Sequence, residues 1–257
     1  MRCDLQWDVL LLQPPRRALG ILVLSMAACS HADRQTYAEI VRADRPASYW
    51  RFGELEASLG ARDELGVADG KVLTGVSTKA APAIAGDPDP AFAFDGAHGA
   101  VVLPSIYNFE GRHPFSIEVW IAPAPGGPQI QRICNHRIGP LHTGWRLVRD
   151  QPGRVTFERW SGDLLLGGVS AAVPVGIYSH VVARYDGATI ELYVDGALRA
   201  AAPDAHDIAP FTQALVWGAA NVGDLDFFAG SLDEAAIYDD ALPPERIAAH
   251  HAAGRGY

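Results

Sequence analysis

The sequence predicts an all-β protein, an antiparallel β-sandwich with one short C-terminal helix. Three observations carry this. Short runs of alternating apolar and polar residues recur roughly every 8 to 15 residues, separated by Gly, Pro and Asp. Glycine and proline number 26 and 18 in 257 residues, high for a helical chain yet below the level of low-complexity sequence. Asp186-Gly187 and Asp195-Gly196 flank one strand-like run, where tight hairpins need positive φ values. A parallel sheet would need crossover helices, and the pattern between strands supplies none.

The first segment, residues 1–28, reads as an export signal. Arg16-Arg17 precedes an uncharged, mostly apolar run, Ala18 to Ala28. A membrane-spanning helix needs about 20 apolar residues, so this shorter run behind basic residues fits the apolar region of a signal peptide. Leu24-Ser-Met-Ala-Ala-Cys29 resembles the bacterial lipoprotein signal, although Met26 stands where that signal prefers Leu. The resemblance implies a lipid on Cys29 and, through Ser30, an outer-membrane or cell-surface destination. Plain secretion with an unmodified Cys29 is the alternative. Residues 29–36 then form a tether, and 37–257 a single β-sandwich domain.

Within that domain Ser48-Tyr-Trp-Arg-Phe52 alternates, as does Pro90-Ala-Phe-Ala-Phe94 before Asp95-Gly96. Phe115–Ala122 is the clearest strand. It puts Phe115, Ile117, Val119 and Ile121 on one face and Ser116, Glu118, Trp120 and Ala122 on the other. Further strands are expected over 131–137, 144–149, 154–160, 180–185, 190–194, 214–217 and 231–238. Residues 243–252 form the one expected helix, with Pro at its first turn and Gly254 after its last.

The charge narrows the partners. The formal net charge is −9, and removing the three Arg and two Asp of the signal makes it −10. Nucleic acid is excluded, because phosphate binding needs clustered Lys and Arg. Cys3, Cys29 and Cys134 cannot make a disulfide scaffold, and no C-x-x-C zinc motif occurs. Cys134 is expected in the core. Among the histidines there is no H-E-x-x-H, and His180 reads as a structural residue at a strand start.

The order of segments resembles the laminin-G-like domains of the concanavalin A-like superfamily, in its bacterial branch. The carrying stretches are Asp44-Arg-Pro-Ala-Ser-Tyr-Trp-Arg-Phe-Gly-Glu54, Ala93-Phe-Asp-Gly96, Phe115-Ser-Ile-Glu-Val-Trp120, His180-Val-Val-Ala-Arg-Tyr-Asp-Gly187, Glu191-Leu-Tyr-Val-Asp-Gly196 and Phe228-Ala-Gly-Ser-Leu-Asp-Glu-Ala-Ala-Ile-Tyr-Asp239. The resemblance implies a jelly-roll sandwich and a structural Ca²⁺ held by oxygen ligands. Glu54 and Asp233 are its candidate ligands, with Asp63 and Asp69 from the following loop. That loop lacks the family's Asn, and Asp63 and Asp69 read equally as turn residues bonded to their own backbone.

No catalytic constellation is visible. The hydrolases of this fold carry Glu-x-Asp-x-x-Glu on one strand, a spacing absent here, and Asp233 and Glu234 are adjacent, so a regular strand would turn them apart. Aromatic residues near turns suggest sugar contacts instead, among them Trp145, Trp160 and Trp217. The loop with Tyr107, Asn108, Phe109 and Arg112 looks least core-like and is the candidate binding surface. The reading is therefore a monomeric, non-catalytic module of the cell surface that recognises a glycan or a protein. A carbohydrate-active enzyme and a structural envelope protein are the alternatives.

Overall fold

The computed structural model describes residues 35–137, 142–220 and 225–256. The expected signal peptide, Cys29 and most of the tether lie outside these residues.

Fifteen strands build two antiparallel sheets: β1 (Ser48–Trp50), β2 (Lys71–Val72), β3 (Val76–Ala80), β4 (Ala91–Asp95), β5 (Val101–Val102), β6 (Phe115–Pro123), β7 (Gln131–Arg137), β8 (Gly144–Gln151), β9 (Arg154–Ser161), β10 (Leu164–Ala172), β11 (Ser179–Tyr185), β12 (Thr189–Val194), β13 (Ala197–Pro203), β14 (Val216–Trp217) and β15 (Ala229–Tyr238). The first sheet runs β13-β12-β11-β6-β15-β4-β3, with β1 also paired to β15, and the second runs β10-β9-β8-β7-β14-β5-β2. This is the sandwich the sequence predicts. Each expected strand is present, and Pro244–Gly254 is the terminal helix, α2.

The main core lies between the sheets. Phe115, Ile117, Val119 and Ile121 of β6 meet Trp145, Leu147 and Phe157 of the second sheet, all without solvent exposure. Each such side chain contributes roughly 1.5–3 kcal/mol by its burial. Cys134 belongs to this core, and its burial pushes the thiol pKa well up.

The outer face of β6 is buried too. Its Glu118 and Trp120 are covered by α2 and by a helix the sequence reading missed, α1 (Tyr37–Ala43). Alone, seven residues are too short to hold as a helix. A capping box, with Thr36 and Glu39 bonding each other's backbone, and the burial of Tyr37 and Val41 hold it in place. On α2 the buried residues are Ile247, His250 and Gly254.

Two long edge strands were also missed. β10 contains Gly167-Gly168 and β13 is mostly alanine, so neither shows the β-branched alternation that marks a strand. Among the described residues no helix is long and apolar enough to cross a membrane.

Candidate functional site

The outward faces of β7, β8 and β9 collect the densest polar and aromatic group of the second sheet. Alternation turns Cys134, Trp145, Leu147 and Phe157 into the core. It therefore turns Arg137, Arg146, Glu158 and Trp160 outward. Register brings them together: Arg146 lies opposite Glu158, and Gly144 lies opposite both Arg137 and Trp160. With no side chain on Gly144 between them, the Arg137 guanidinium crosses to the indole and sits 4.1 Å from its ring centre. The Arg146 guanidinium lies 5.2 Å from the same ring.

Glu158 fixes this arrangement. One of its oxygens accepts from Trp160 Nε1 at 2.8 Å and from Arg146 Nε. Arg132, at the start of β7, reaches Asp226 at 2.8 Å. Asp226 adopts a left-handed φ of 55°, and its backbone oxygen accepts from the Arg132 amide at 2.7 Å. Burial, then repulsion from Arg146, lowers the Arg132 pKa to about 10, and the same two causes lower that of Arg137. Beside this group, Thr156 and Ser170 pair their hydroxyls at 2.8 Å, and Gly168 leaves the surface next to Glu158 without a side chain. The result is a polar shelf flanked by three guanidiniums.

Sequence reasoning pointed to Trp160 but missed the arginines. Their signal was present: once the strands are placed, residues 132, 137 and 146 fall outside the core positions. Trp145 and Trp217, the other two aromatic candidates, are fully buried.

The Tyr107–Arg112 loop, read from the sequence as the least core-like, sends one of its side chains into the core. Phe109 is 8% exposed and stacks on Phe115 with ring centres 4.5 Å apart. The Tyr107 hydroxyl donates to the Ala47 carbonyl, and Asn108 pairs with His136 at 3.1 Å. Arg112 is exposed and faces Asp207 at 3.6 Å. An open hollow of about 470 Å³ remains, lined by Tyr107, Asn108, Phe109, Glu110, His113 and Asp239.

The four candidate calcium ligands do not converge. Among the described residues, no three His, Cys, Asp or Glu side chains come together at metal-binding spacing. Asp63 is spent on its surroundings: Ser48 and the amides of Tyr49, Leu65, Val67 and Ala68 all donate to it. Asp69 accepts from the Asp63 amide. These two are turn-organising residues, the other reading the sequence left open.

Asp233 and Glu234 sit at a bulge in β15, where Glu234 has φ 51°, so both are buried and neither points away as a regular strand would require. Asp233 accepts from the Ala83 amide at 2.8 Å, and burial raises its pKa well above the carboxylate range. Glu234 bonds Arg51, which also pairs with Asp87 at 2.6 Å and Asp89 at 3.2 Å. That guanidinium supplies the positive charge that a metal would otherwise bring to these acids. Glu54 accepts from the Arg62 amide, while its second oxygen is buried without a partner among the described residues. One such oxygen does not make a Ca²⁺ site, which takes six to eight.

Glu118 is the other residue whose role only the fold reveals. It accepts from Tyr37 and Tyr238, both at 2.7 Å, and meets His180 at 2.7 Å and His250 at 2.9 Å, all in the buried layer between β6 and the helices. His180 is thus the structural residue the sequence suggests.

The sequence profile of the Concanavalin A-like lectin/glucanases superfamily matches residues 95–248. Solved structures of different proteins share the fold. Domain 4 of an extracellular arabinanase from Geobacillus stearothermophilus, solved in complex with arabinotriose, is 18% identical with a TM-score of 0.60, over 80% of this chain and 98% of that one. The botulinum neurotoxin serotype D binding domain is 14% identical with a TM-score of 0.62, over 81% of this chain and 51% of that one. The chain therefore spans about half the length of that toxin domain. A related binding domain, of botulinum neurotoxin DC, was solved in complex with SialylT, at 13% identity, a TM-score of 0.59 and the same coverage. No curated protein matches the chain in sequence.

Proposed function

The chain belongs to the concanavalin A-like lectin/glucanases superfamily, and from that premise we propose that it is a non-catalytic glycan-binding module, exported and held at the cell envelope by a lipid on Cys29. The observation that carries the binding role is the outward group on β7–β9. Trp160 is fixed by Glu158, the guanidiniums of Arg137 and Arg146 lie over it, and a polar shelf lies alongside. Sugars are taken by such combinations of hydrogen-bonding groups around a rigid aromatic ring. Solved relatives of the same fold bound to arabinotriose and to SialylT support a sugar as the ligand.

A non-catalytic role is supported by how the carboxylates of this face are used. Glu158 holds Trp160 and Arg146, and Asp226 holds Arg132. Glycosidic cleavage needs a pair of carboxyl groups about 5 to 9.5 Å apart and directed at the substrate.

A glycan array read together with a reducing-end release assay tests the reading. Binding without release is expected. Release of sugar ends would make the protein a hydrolase, and retention of a protein in place of any glycan would make it a protein-binding module. The anchor is tested separately: labelled palmitate is expected to enter the protein, and Cys29→Ala to release it from the membrane.

A further inference from the structure

Arg137 stands apart from the other cations of the candidate site. Arg146 is bonded to Glu158, and Arg132 to Asp226. Arg137 has no carboxylate at ion-pair distance among the described residues, and its guanidinium makes no hydrogen bond there. Among the described residues the Trp160 ring lies against it, 4.1 Å away. Its Nε is buried with no acceptor, as is the Nε of Arg132. Buried N–H groups in folded proteins almost always find an acceptor, so an open donor of this kind calls for a partner.

Charge says what the acceptor is. Two of the three guanidiniums are closed by carboxylates, Arg146 by Glu158 and Arg132 by Asp226, whereas Asp163 acts on Arg137 only from beyond ion-pair distance. The chain as a whole carries −9, which repels dense polyanions. A ligand with one isolated negative group is balanced by the face and tolerated by the rest of the molecule. Guanidinium is planar and donates along a fixed edge, the geometry that a carboxylate accepts through both oxygens.

Resting on the reading of this face as the glycan site, we infer that its ligand is an acidic oligosaccharide, whose uronate carboxylate is received by the unpaired guanidinium of Arg137 beside Arg132 and Arg146. The neighbouring sugars then lie along the Thr156–Ser170 shelf, over Gly168 and beside the exposed Leu165. Trp160 acts as a positioning residue, because its face is covered by Arg137.

The test is calorimetric titration of the full protein with a xylo-oligosaccharide bearing a single glucuronate, its carboxyl-reduced form, and heparin as a dense polyanion. The acidic sugar is expected to bind at least tenfold tighter than the reduced form and to weaken as salt rises. Arg137→Gln is expected to bring the acidic sugar down to the affinity of the reduced one, with Arg137→Lys intermediate. Equal binding of acid and reduced sugar overturns the acidic class and leaves glycan binding standing. Tight acid binding unaffected by Arg137→Gln overturns the placement, and preferential binding of heparin overturns the single-charge argument. Failure of every array glycan and every titrated sugar overturns both this inference and the function it rests on. If Arg137→Gln does not fold, the acid-versus-reduced comparison on the unaltered protein still decides.

Discussion

Glu118 on β6 and His250 on α2 form an ion pair with no solvent-exposed surface, 2.9 Å between Oε2 and Nδ1. The other ring nitrogen of His250 lies 2.6 Å from Asp44 Oδ2, just past α1. With a carboxylate at each nitrogen, the ring serves as a donor on both sides, which requires the imidazolium. One protonated side chain thus ties the central strand, the last helix and the end of the first helix together.

The pH dependence of stability follows. Burial alone would lower the pKa of His250, but Glu118 and Asp44 outweigh it, and the net direction is up. Its contribution is therefore complete below about pH 6.5, the unfolded value, and is lost as pH rises through the folded value. For Glu118, burial would raise the pKa, but His250 and His180 hold it well below the usual range. Its contribution is present above about pH 4.5 and lost as pH falls through the depressed value. Melting temperature is expected to be highest between about pH 5 and 6.5 and to decline toward pH 8. His250→Gln should flatten the alkaline limb. A Tm that climbs from pH 6 to pH 8 in the unaltered protein would refute the assignment.

Removing the carboxylate tests the same pair from the other side. Glu118→Gln removes the charge opposite His250 and puts an NH2 donor in place of one of the two oxygens that accept from Tyr37 and Tyr238. Breaking a buried pair from one side costs about 3–5 kcal/mol. Urea unfolding should show that loss, whereas Asp207→Asn, at the exposed Arg112 pair, is expected to change stability by less than about 0.5 kcal/mol.

Two tryptophans of the second sheet separate fold from function. Trp145 is fully buried, so Trp145→Ala is expected to destabilise by about 3–5 kcal/mol. Trp160 lies on the outside and holds two guanidiniums. Trp160→Ala should leave a cooperative melt and weaken glycan binding about tenfold or more, a loss of about 1.4 kcal/mol. Unaltered affinity in a folded Trp160→Ala protein would move the binding site elsewhere.

How much of this was legible in the sequence depends on whether a signal is local. Phe115–Ala122 announces itself because alternation of large apolar residues is a property of one segment. Glu118 sits on that strand in plain view, yet its partners come from residues 37, 180, 238 and 250, which only the fold assembles. The arginine face was hidden for a related reason: an arginine in a strand is ordinary until register places it over a tryptophan. α1 and the Gly- and Ala-rich edge strands escaped because their order derives from what they pack on. The bulge at Asp233-Glu234 defeated the assumption of a regular strand.

Chelation tests the calcium expectation. A native-state Ca²⁺ site saturated at millimolar ion would raise stability by RT ln(1 + [L]/Kd), enough to lift Tm by about 3 °C or more at a Kd of 10 µM. The donor geometry around Glu54, Asp63, Asp69 and Asp233 leads us to expect less than about 1 °C between EDTA and added calcium. A larger shift that disappears in Glu54→Gln would show that Glu54, with its unpartnered oxygen, binds the ion after rearrangement.

The loop at Tyr107 offers the sharpest contrast between neighbours. Tyr107 and Phe109 adopt left-handed φ values of 61° and 46°, a conformation bulky residues rarely take. Such strain persists only where the surroundings impose it. Here the Phe109 ring is stacked on Phe115 and His113, with centres 4.5 and 5.3 Å away, and the Tyr107 hydroxyl is bonded to Ala47. Phe109→Ala is therefore expected to cost about 3 kcal/mol, since it removes a buried ring and leaves the strained backbone unsupported. Arg112, three residues on, is more than half exposed and among the described residues pairs with exposed Asp207 alone. Arg112→Ala should change stability by less than about 0.5 kcal/mol and leave glycan affinity unchanged, because Arg112 is not part of the β7–β9 face. A tenfold affinity loss in Arg112→Ala with a normal melt would return the binding site to this loop and its open hollow, against the face centred on Trp160.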